Sequence, residues 1–100
     1  MKIEPQGTTL LVSGLTELNA TNAGPFREAT RAALTDAIKQ VDVDLSLTRF
    51  LDSSGLGALI ALQKTVTARA GQVRILNPAS TAQQILELTR LHRVFEIVKT

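Results

Sequence analysis

Cysteine, tryptophan and tyrosine are absent from this chain of 100 residues, and phenylalanine occurs only three times. Without cysteine the chain can form neither a disulfide nor a zinc–thiolate site, and a single histidine among scattered carboxylates makes no metal-ligand cluster. Nucleic-acid binding usually needs a basic stripe and stacking aromatic rings, whereas the basic residues here are spread along the chain and the net charge is only +2. We therefore expect no metal and no nucleic-acid partner.

Long apolar runs are missing as well. No run approaches the roughly 20 residues that span a bilayer, and Met1–Pro5 lacks the apolar segment of a signal peptide. We therefore expect a cytoplasmic protein without direct membrane insertion. The length corresponds to one domain, residues 1–100, and a hydrophobic content of 44% is ordinary for a globular chain.

Catalytic motifs are the third absence. Ser53, His92 and either Asp52 or Asp44 supply the residue types of a hydrolase triad, but the nucleophile elbow G-x-S-x-G does not occur. The phosphate-binding run G-x-x-x-x-G-K-[ST] is missing, and Gly55-Leu56-Gly57 lacks the third glycine of the dinucleotide fingerprint. We expect no enzyme activity, no catalytic residue and no cofactor.

What the sequence does contain is an alternation of strand and helix patterns. Strands are predicted near Ile3, with a turn at Pro5–Gly7, and over residues 8–13, 41–46, 72–76 and 94–98. Helices are predicted over residues 22–40, with Pro25 in the first turn, over 53–70 before a stop at Gly71, and from a Ser80/Gln83 capping box onward. Their predicted apolar stripes are Ala23, Phe26, Thr30, Ala33, Leu34, Ala37, Ile38 and Val41; Leu56, Leu59, Ile60, Val66 and Ala70; and Ile85, Leu86 and Thr89.

The resulting order is β-β-α-β-α-β-α-β. Strands that alternate with helices imply crossover connections, so we expect an α/β domain with a mixed, mostly parallel sheet and about three helices. Whether helices cover one face of that sheet or both stays open at this point.

The segment Asp52-Ser53-Ser54-Gly55-Leu56-Gly57 stands at a loop-to-helix junction after a strand. A helix start offers unpaired N–H groups and about half a unit of positive charge, which favours an added anion. A phosphate on Ser53 would bring roughly −1.5 to −2 charges at pH 7. Read alone, however, the same residues are also an ordinary helix cap followed by turn glycines.

The run Val43–Ser46, followed after a short loop by Asp52–Leu59, resembles the signature of the STAS family, the sulfate transporter and anti-sigma-factor antagonist domains. Further similar pieces occur in the family's order and cover nearly the whole chain: Leu10–Gly14 with Glu17–Asn19, Gly71–Asn77, Leu86–Thr89 and Leu91–Phe95. Asn19 stands where antagonists often carry an acidic residue, and Arg90 replaces the glycine that usually follows the third helix.

This resemblance implies a STAS-like fold and a partner-switching regulator. Such antagonists bind an anti-sigma factor that is often also a serine kinase; the kinase binds the ATP, phosphorylates the first serine of D-S-S-G and ends the interaction, and a serine phosphatase reverses the mark. Ser53 is then the expected acceptor, with Ser54 as a second candidate. The expected partner-binding residues are Asp52, Ser53, Ser54, Gly55, Leu56, Gly57, Asn19 and Thr21.

Two readings stay open. Leu62 lies about a quarter-turn from the predicted core stripe of its helix, so it is either edge-of-core packing or an apolar docking spot beside Ser53. The whole chain could alternatively be a constitutive STAS subunit of a membrane lipid-transport ATPase complex, or a signalling scaffold, that uses the same surface without phosphorylation.

Overall fold

The computed structural model describes residues 1–100, in which strands and helices alternate along the chain. The strands are β1 (Lys2–Gln6), β2 (Thr9–Ser13), β3 (Glu17–Leu18), β4 (Gln40–Asp44), β5 (Phe50–Leu51), β6 (Gln72–Leu76) and β7 (Glu96–Val98). The helices are α1 (Ala23–Ala33), α2 (Ser53–Ala68) and α3 (Ser80–Leu88), and a 3₁₀ turn at Leu91–Arg93 precedes β7.

Five strands form one sheet in the order β1-β2-β4-β6-β7. β1 pairs antiparallel with β2, and every other neighbouring pair in this sheet is parallel. The predicted mixed, mostly parallel sheet with three helices is confirmed. β3 and β5 form a separate parallel pair that the sequence does not predict, because two residues are too few to show a period.

The core lies on one face of the five-stranded sheet. That face carries Leu10, Val12, Val41, Val43, Val73 and Ile75, all of them buried. The alternate residues on the other face are mostly polar and half-exposed, and at its centre Asp42 receives two hydrogen bonds of 2.9 Å from the Arg74 guanidinium. The helices therefore cover one face of the sheet, which answers the question that the sequence leaves open.

The first helix is shorter than predicted. It ends at Ala33, and Ala37, which the stripe places on the buried face, is exposed. Ile38 and Val41 are indeed buried, but they reach the core from the connection and from β4 rather than from a helix. The prediction of a helix to residue 40 is wrong because the apolar spacing continues by coincidence across the turn.

The buried face of α2 is also rotated from the predicted stripe. It consists of Gly55, Ala58, Leu59, Leu62 and Val66, whereas Leu56 and Ile60 are only half-buried. The left-handed residue after the helix is Ala70, with φ of 60°, and not Gly71. Gly71 has a different role, because a Cβ there would lie 2.6 Å from the carbonyl oxygen of Lys39.

The predicted capping box of the third helix is wrong. Ala79 occupies the cap position, no side chain caps it, and the Gln83 side chain donates instead to Glu87 at 2.9 Å. Thr89, predicted on the buried stripe, is exposed and follows the helix. Arg90, at the family's glycine position, does adopt the left-handed conformation with φ of 61°.

Candidate functional site

Asp52 holds the start of α2 and connects it to a second segment of the chain. Its backbone is extended, and its Oδ1 accepts a hydrogen bond of 2.9 Å from the Gly55 amide, as a helix cap does. Its Oδ2 accepts a hydrogen bond of 3.1 Å from the amide of Ala20. One carboxylate therefore fixes the helix start against the loop between β3 and α1.

These hydrogen bonds stabilise the charged form of the carboxylate. The amide of Gly55 is the main cause that lowers the pKa of Asp52 below the ordinary aspartate value of 3.8; desolvation opposes this effect, and the amide of Ala20 adds to it. Asp52 is therefore anionic at neutral pH and favourably placed at the positive end of the helix.

Ser53 is the first residue of α2, and both Ser53 and Ser54 are exposed. The Gly55 amide already donates to Asp52, but the amides of Ser53 and Ser54 have no carbonyl partner within the helix and are available to an external acceptor. A phosphate on the Ser53 hydroxyl would find these donors close by and solvent on its other side. The position can thus accept a modification without any disturbance of the core.

The two glycines of the junction, Gly55 and Gly57, have different surroundings. A Cβ on Gly55 would lie 2.0 Å from the carbonyl oxygen of Leu18, so this glycine lets β3 pack directly on the helix start. Gly57 is exposed, and a Cβ there would meet nothing within 4 Å. Of the two glycines expected among the partner-binding residues, Gly55 is covered by the chain itself and Gly57 alone faces outward.

The loop before α1 is held by its own side chains. The Oδ1 of Asn19 accepts hydrogen bonds from the Thr21 amide at 3.0 Å and the Thr21 hydroxyl at 2.6 Å, and its Nδ2 donates to Glu17 at 3.0 Å. The Asn19 amide in turn donates to the Asn22 side chain at 2.8 Å. Because Ala20 in this loop also donates to Asp52, Asn19 and Thr21 lie on the same surface as Ser53.

Comparison with models of known protein families shows to which family this chain belongs. The STAS domain model matches residues 1–100, the whole chain. The chain belongs to the STAS family.

Relatives of this STAS domain carry the same fold. A Thermotoga maritima protein, provisionally named an anti-sigma factor antagonist, is 27% identical over 85 residues, which cover 84% of this chain and 75% of that protein. The anti-sigma factor antagonist SpoIIAA in its unphosphorylated form superposes with a TM-score of 0.86 at 21% identity, over 99% of this chain and 86% of that one. The phosphorylated form of the Bacillus cell fate determinant SpoIIAA gives a TM-score of 0.75 at 21% identity, over 99% and 89% of the two chains.

Of the two interpretations of Leu62 in this STAS domain, packing against the core is confirmed and the exposed docking spot is wrong. Leu62 is 5% exposed and belongs to the main core, because the buried face of α2 is rotated toward Gly55 and Ala58. Leu56 is half-buried and packs against the same core, so it presents only part of its side chain near Ser53.

An exposed aromatic residue close to Ser53, Phe50, is not predicted from the sequence. Phe50 is 66% exposed and Leu47 is 59% exposed, whereas Thr48 and Leu51 between and beside them are buried. The run Leu47–Leu51 has no clear period, so the pattern gives no signal that separates its inward and outward side chains.

Two further findings concern metal ions and membranes. No group of three or more histidine, cysteine, aspartate or glutamate side chains is placed to hold a metal ion. None of its helices combines the length and the apolar character needed to cross a membrane.

Proposed function

We propose that this STAS domain is an anti-sigma factor antagonist that is switched off by phosphorylation of Ser53. The unphosphorylated chain binds an anti-sigma factor through the junction Asp52–Gly57, the loop Gly14–Asn22 and the exposed side of α2. The observation that carries the proposal is the exposed hydroxyl of Ser53 on the first residue of a helix whose start is already fixed by Asp52.

The phosphoryl group would come from ATP bound to the partner, which acts as a serine kinase. The Ser53 oxygen attacks the terminal phosphorus, the bond to ADP breaks, and the hydroxyl proton leaves to a base of the kinase or to water. This chain supplies only the acceptor, so we propose that it has no catalytic residue and no cofactor of its own. A serine phosphatase would hydrolyse the phosphoserine with water and restore binding. Because the kinase needs ATP, we propose that the protein works in the cytoplasm.

The physical basis of the switch is charge and bulk at a contact that has lost its water. Phosphate next to the anionic Asp52 would place two like charges in the interface, where each also loses hydration. Coupling between two such states is typically about 1–3 kcal/mol, or roughly 5–150-fold in affinity. No refolding is needed, because Ser53 contributes nothing to the core.

Binding by variants tests this function. Each anti-sigma factor encoded in the same genome would be purified and titrated by calorimetry with the wild-type chain, Ser53→Ala and Ser53→Asp. We expect Ser53→Ala to bind as the wild type does. Ser53→Asp should bind more weakly, although less so than the phosphoprotein, because one carboxylate carries less charge and fewer acceptors than phosphate.

The neighbouring serine is the matched control. With a cognate kinase and ATP, the wild-type chain and Ser54→Ala should incorporate phosphate, whereas Ser53→Ala should not. Equal affinity of the partner for the wild type, Ser53→Asp and the phosphoprotein would refute the switch. Co-purification with a lipid-transport ATPase, without phosphate incorporation by any kinase of the same genome, would support the constitutive-subunit alternative instead.

A further inference from the structure

Phe50 is the only exposed aromatic side chain of the molecule. The other two phenylalanines, Phe26 and Phe95, are 1% and 3% exposed, and the chain has no tyrosine or tryptophan. Single apolar side chains at a protein surface are common, but aromatic side chains are enriched in the cores of protein interfaces. The 66% exposure of Phe50 therefore marks it as a candidate contact residue.

The segment that carries Phe50 is fixed to the body of the protein. The buried Thr48 hydroxyl donates to the carbonyl of Leu15 at 2.6 Å, and the amide of Arg49 donates to the carbonyl of Thr16 at 2.9 Å. β5 then pairs in parallel with β3, so that Leu51 lies beside Leu18 in the core. Phe50 is held outward by an ordered backbone, which lowers the entropy lost when a partner covers it.

Phe50 also stands next to the phosphorylation site. It precedes Ser53 by three residues, so their Cα atoms are at most about 11 Å apart. Alternate residues of an extended segment point to the same side, and Leu51 points into the core, so Phe50 and Asp52 both point away from it. The ring and the helix start therefore belong to one continuous surface.

The size of a typical protein interface indicates that the contact around Ser53 also covers Phe50. A stable interface covers about 800 Å² on each partner, roughly a seventh of the 5559 Å² accessible surface of this chain. The junction Asp52–Gly57 alone is too small, so the contact must extend over its surroundings. The polar loop with Asn19 and Thr21 borders the junction, because Ala20 donates to Asp52. Phe50 pairs with Glu17, to which the Asn19 side chain donates, and Leu47 is a second exposed apolar residue of the same segment.

We infer that Phe50, supported by Leu47, is the apolar anchor of the partner-binding surface and inserts into a nonpolar pocket on the same protein that contacts Ser53. The inference rests on the proposed function and names the residue that contributes most to the affinity for the partner. Ser53 determines whether the surfaces fit, whereas Phe50 supplies the buried apolar area that makes the unmodified complex stable.

Two truncations of Phe50 and one control truncation of Val94 test the anchor. Val94 is another exposed apolar residue, but its carbonyl accepts a hydrogen bond of 3.3 Å from Gln63, which lies ten residues beyond Ser53 and about 15 Å away along α2. Phe50→Ala, Phe50→Leu and Val94→Ala would each be titrated by calorimetry into the anti-sigma factor that binds the wild-type chain.

We expect Phe50→Ala to weaken the affinity about 30-fold or more, Phe50→Leu to weaken it less, and Val94→Ala to change it less than about twofold. All three should unfold within a few degrees of the wild type, because the truncated groups stand in solvent. An affinity of Phe50→Ala within about threefold of the wild type would overturn the anchor. Self-association that Phe50→Ala abolishes, measured by sedimentation, would also overturn it, because the occupant would then be a second copy of this chain.

The two proposals fail in different ways. If Ser53→Asp weakens binding and Phe50→Ala does not, the anchor is wrong and the switch stands. If Phe50→Ala weakens binding and Ser53→Asp and the phosphoprotein bind as the wild type does, the anchor stands and the switch is wrong. If no anti-sigma factor binds the wild-type chain, both are wrong.

Discussion

Asp52 joins two segments with a single side chain. Its two oxygens accept hydrogen bonds from Gly55 at the helix start and from Ala20 in the preceding loop. The sequence alone allows a choice between a helix cap and a functional junction, and the structure makes Asp52 a cap that also positions the loop beside Ser53. Capping is therefore compatible with the partner-binding role that we propose for Asp52.

The pH dependence of stability should reveal this cap. Because folding lowers the pKa of Asp52 below the ordinary value of 3.8, its stabilising effect is fully present above that value and is lost as the pH falls through the folded-state pKa. Asp52→Asn keeps one acceptor oxygen but no charge. We expect a lower urea midpoint than the wild type at pH 7 and a difference that disappears below the folded-state pKa.

A constant difference between the two urea midpoints from pH 7 to the acid end would contradict this account of Asp52. Asp44, whose Oδ1 accepts a hydrogen bond of 2.8 Å from the Ser46 amide in the loop after β4, offers a control within the chain. Asp44→Asn should leave the hydrogen bonds at the start of α2 unchanged.

Gly55 and Gly57 make a second contrast at the scale of single residues. Gly55→Ala drives a methyl group into the Leu18 carbonyl at 2.0 Å, and backbone cannot move aside as a flexible side chain can. We expect a loss of about 2–3 kcal/mol in the free energy of unfolding. Gly57→Ala meets open space inside a helix and should raise the free energy of unfolding by about 0.5–1 kcal/mol.

Urea denaturation of both variants measures the contrast between the glycines. Equal effects of the two substitutions would mean that β3 does not approach the helix start as closely as the structure has it.

At the scale of elements, Arg69 explains how two helices and a strand meet. Its guanidinium, just beyond the end of α2, donates to the carbonyls of Leu34 at 3.1 Å and Ile38 at 3.3 Å, and also to that of Thr35. These carbonyls lie in the turn that ends α1 and leads into β4. One side chain thus holds the connection that the apolar pattern mistakes for a continued helix.

Replacement of Arg69 should loosen that connection. We expect Arg69→Met, which keeps much of the apolar stem, to lower the free energy of unfolding by about 1–2 kcal/mol. The free energy of unfolding of Arg69→Lys, which has a single ammonium group, should lie between that of Arg69→Met and that of the wild type. Hydrogen exchange should quicken in residues 34–39 and stay unchanged in β6. Uniform exchange in both segments would argue against the local role of Arg69.

The strands of the five-stranded sheet and the start of α2 were predictable, whereas the β3–β5 pair and the ends and faces of the helices were not. β2, β4 and β6 follow from β-branched and alternating residues, and the start of α2 follows from the sequence Asp-Ser-Ser-Gly. The end of α1 depends on the distant Arg69, and the buried face of α2 depends on the contact between Gly55 and Leu18. Such contacts join residues far apart in the chain, so the local spacing of apolar residues cannot predict them.

The same limit applies to the candidate site. The sequence points to the proposed acceptor serine because its position is defined by neighbouring residues, but it leaves Leu62 undecided and overlooks Phe50. Both cases concern which way an apolar side chain points. That direction is determined by the packing of α2 and by the β3–β5 pair, which only the folded chain reveals.

For the molecule as a whole, the architecture separates the residues of the core from those of the proposed partner-binding surface. The core lies between one face of the sheet and the helices, whereas Ser53, Gly57 and Phe50 stand on the surface and bury little of themselves. A phosphate on Ser53 should consequently leave the fold intact and act on binding alone.

The affinity of the chain with phosphoserine installed at position 53 tests the central claim most directly. Calorimetry would compare it with the unmodified chain for the same anti-sigma factor, and circular dichroism would compare the two folds. We predict matching spectra and an affinity lower by roughly 5–150-fold for the modified chain. Matching spectra together with equal affinities would contradict the claim that a charge at this helix start controls the partner.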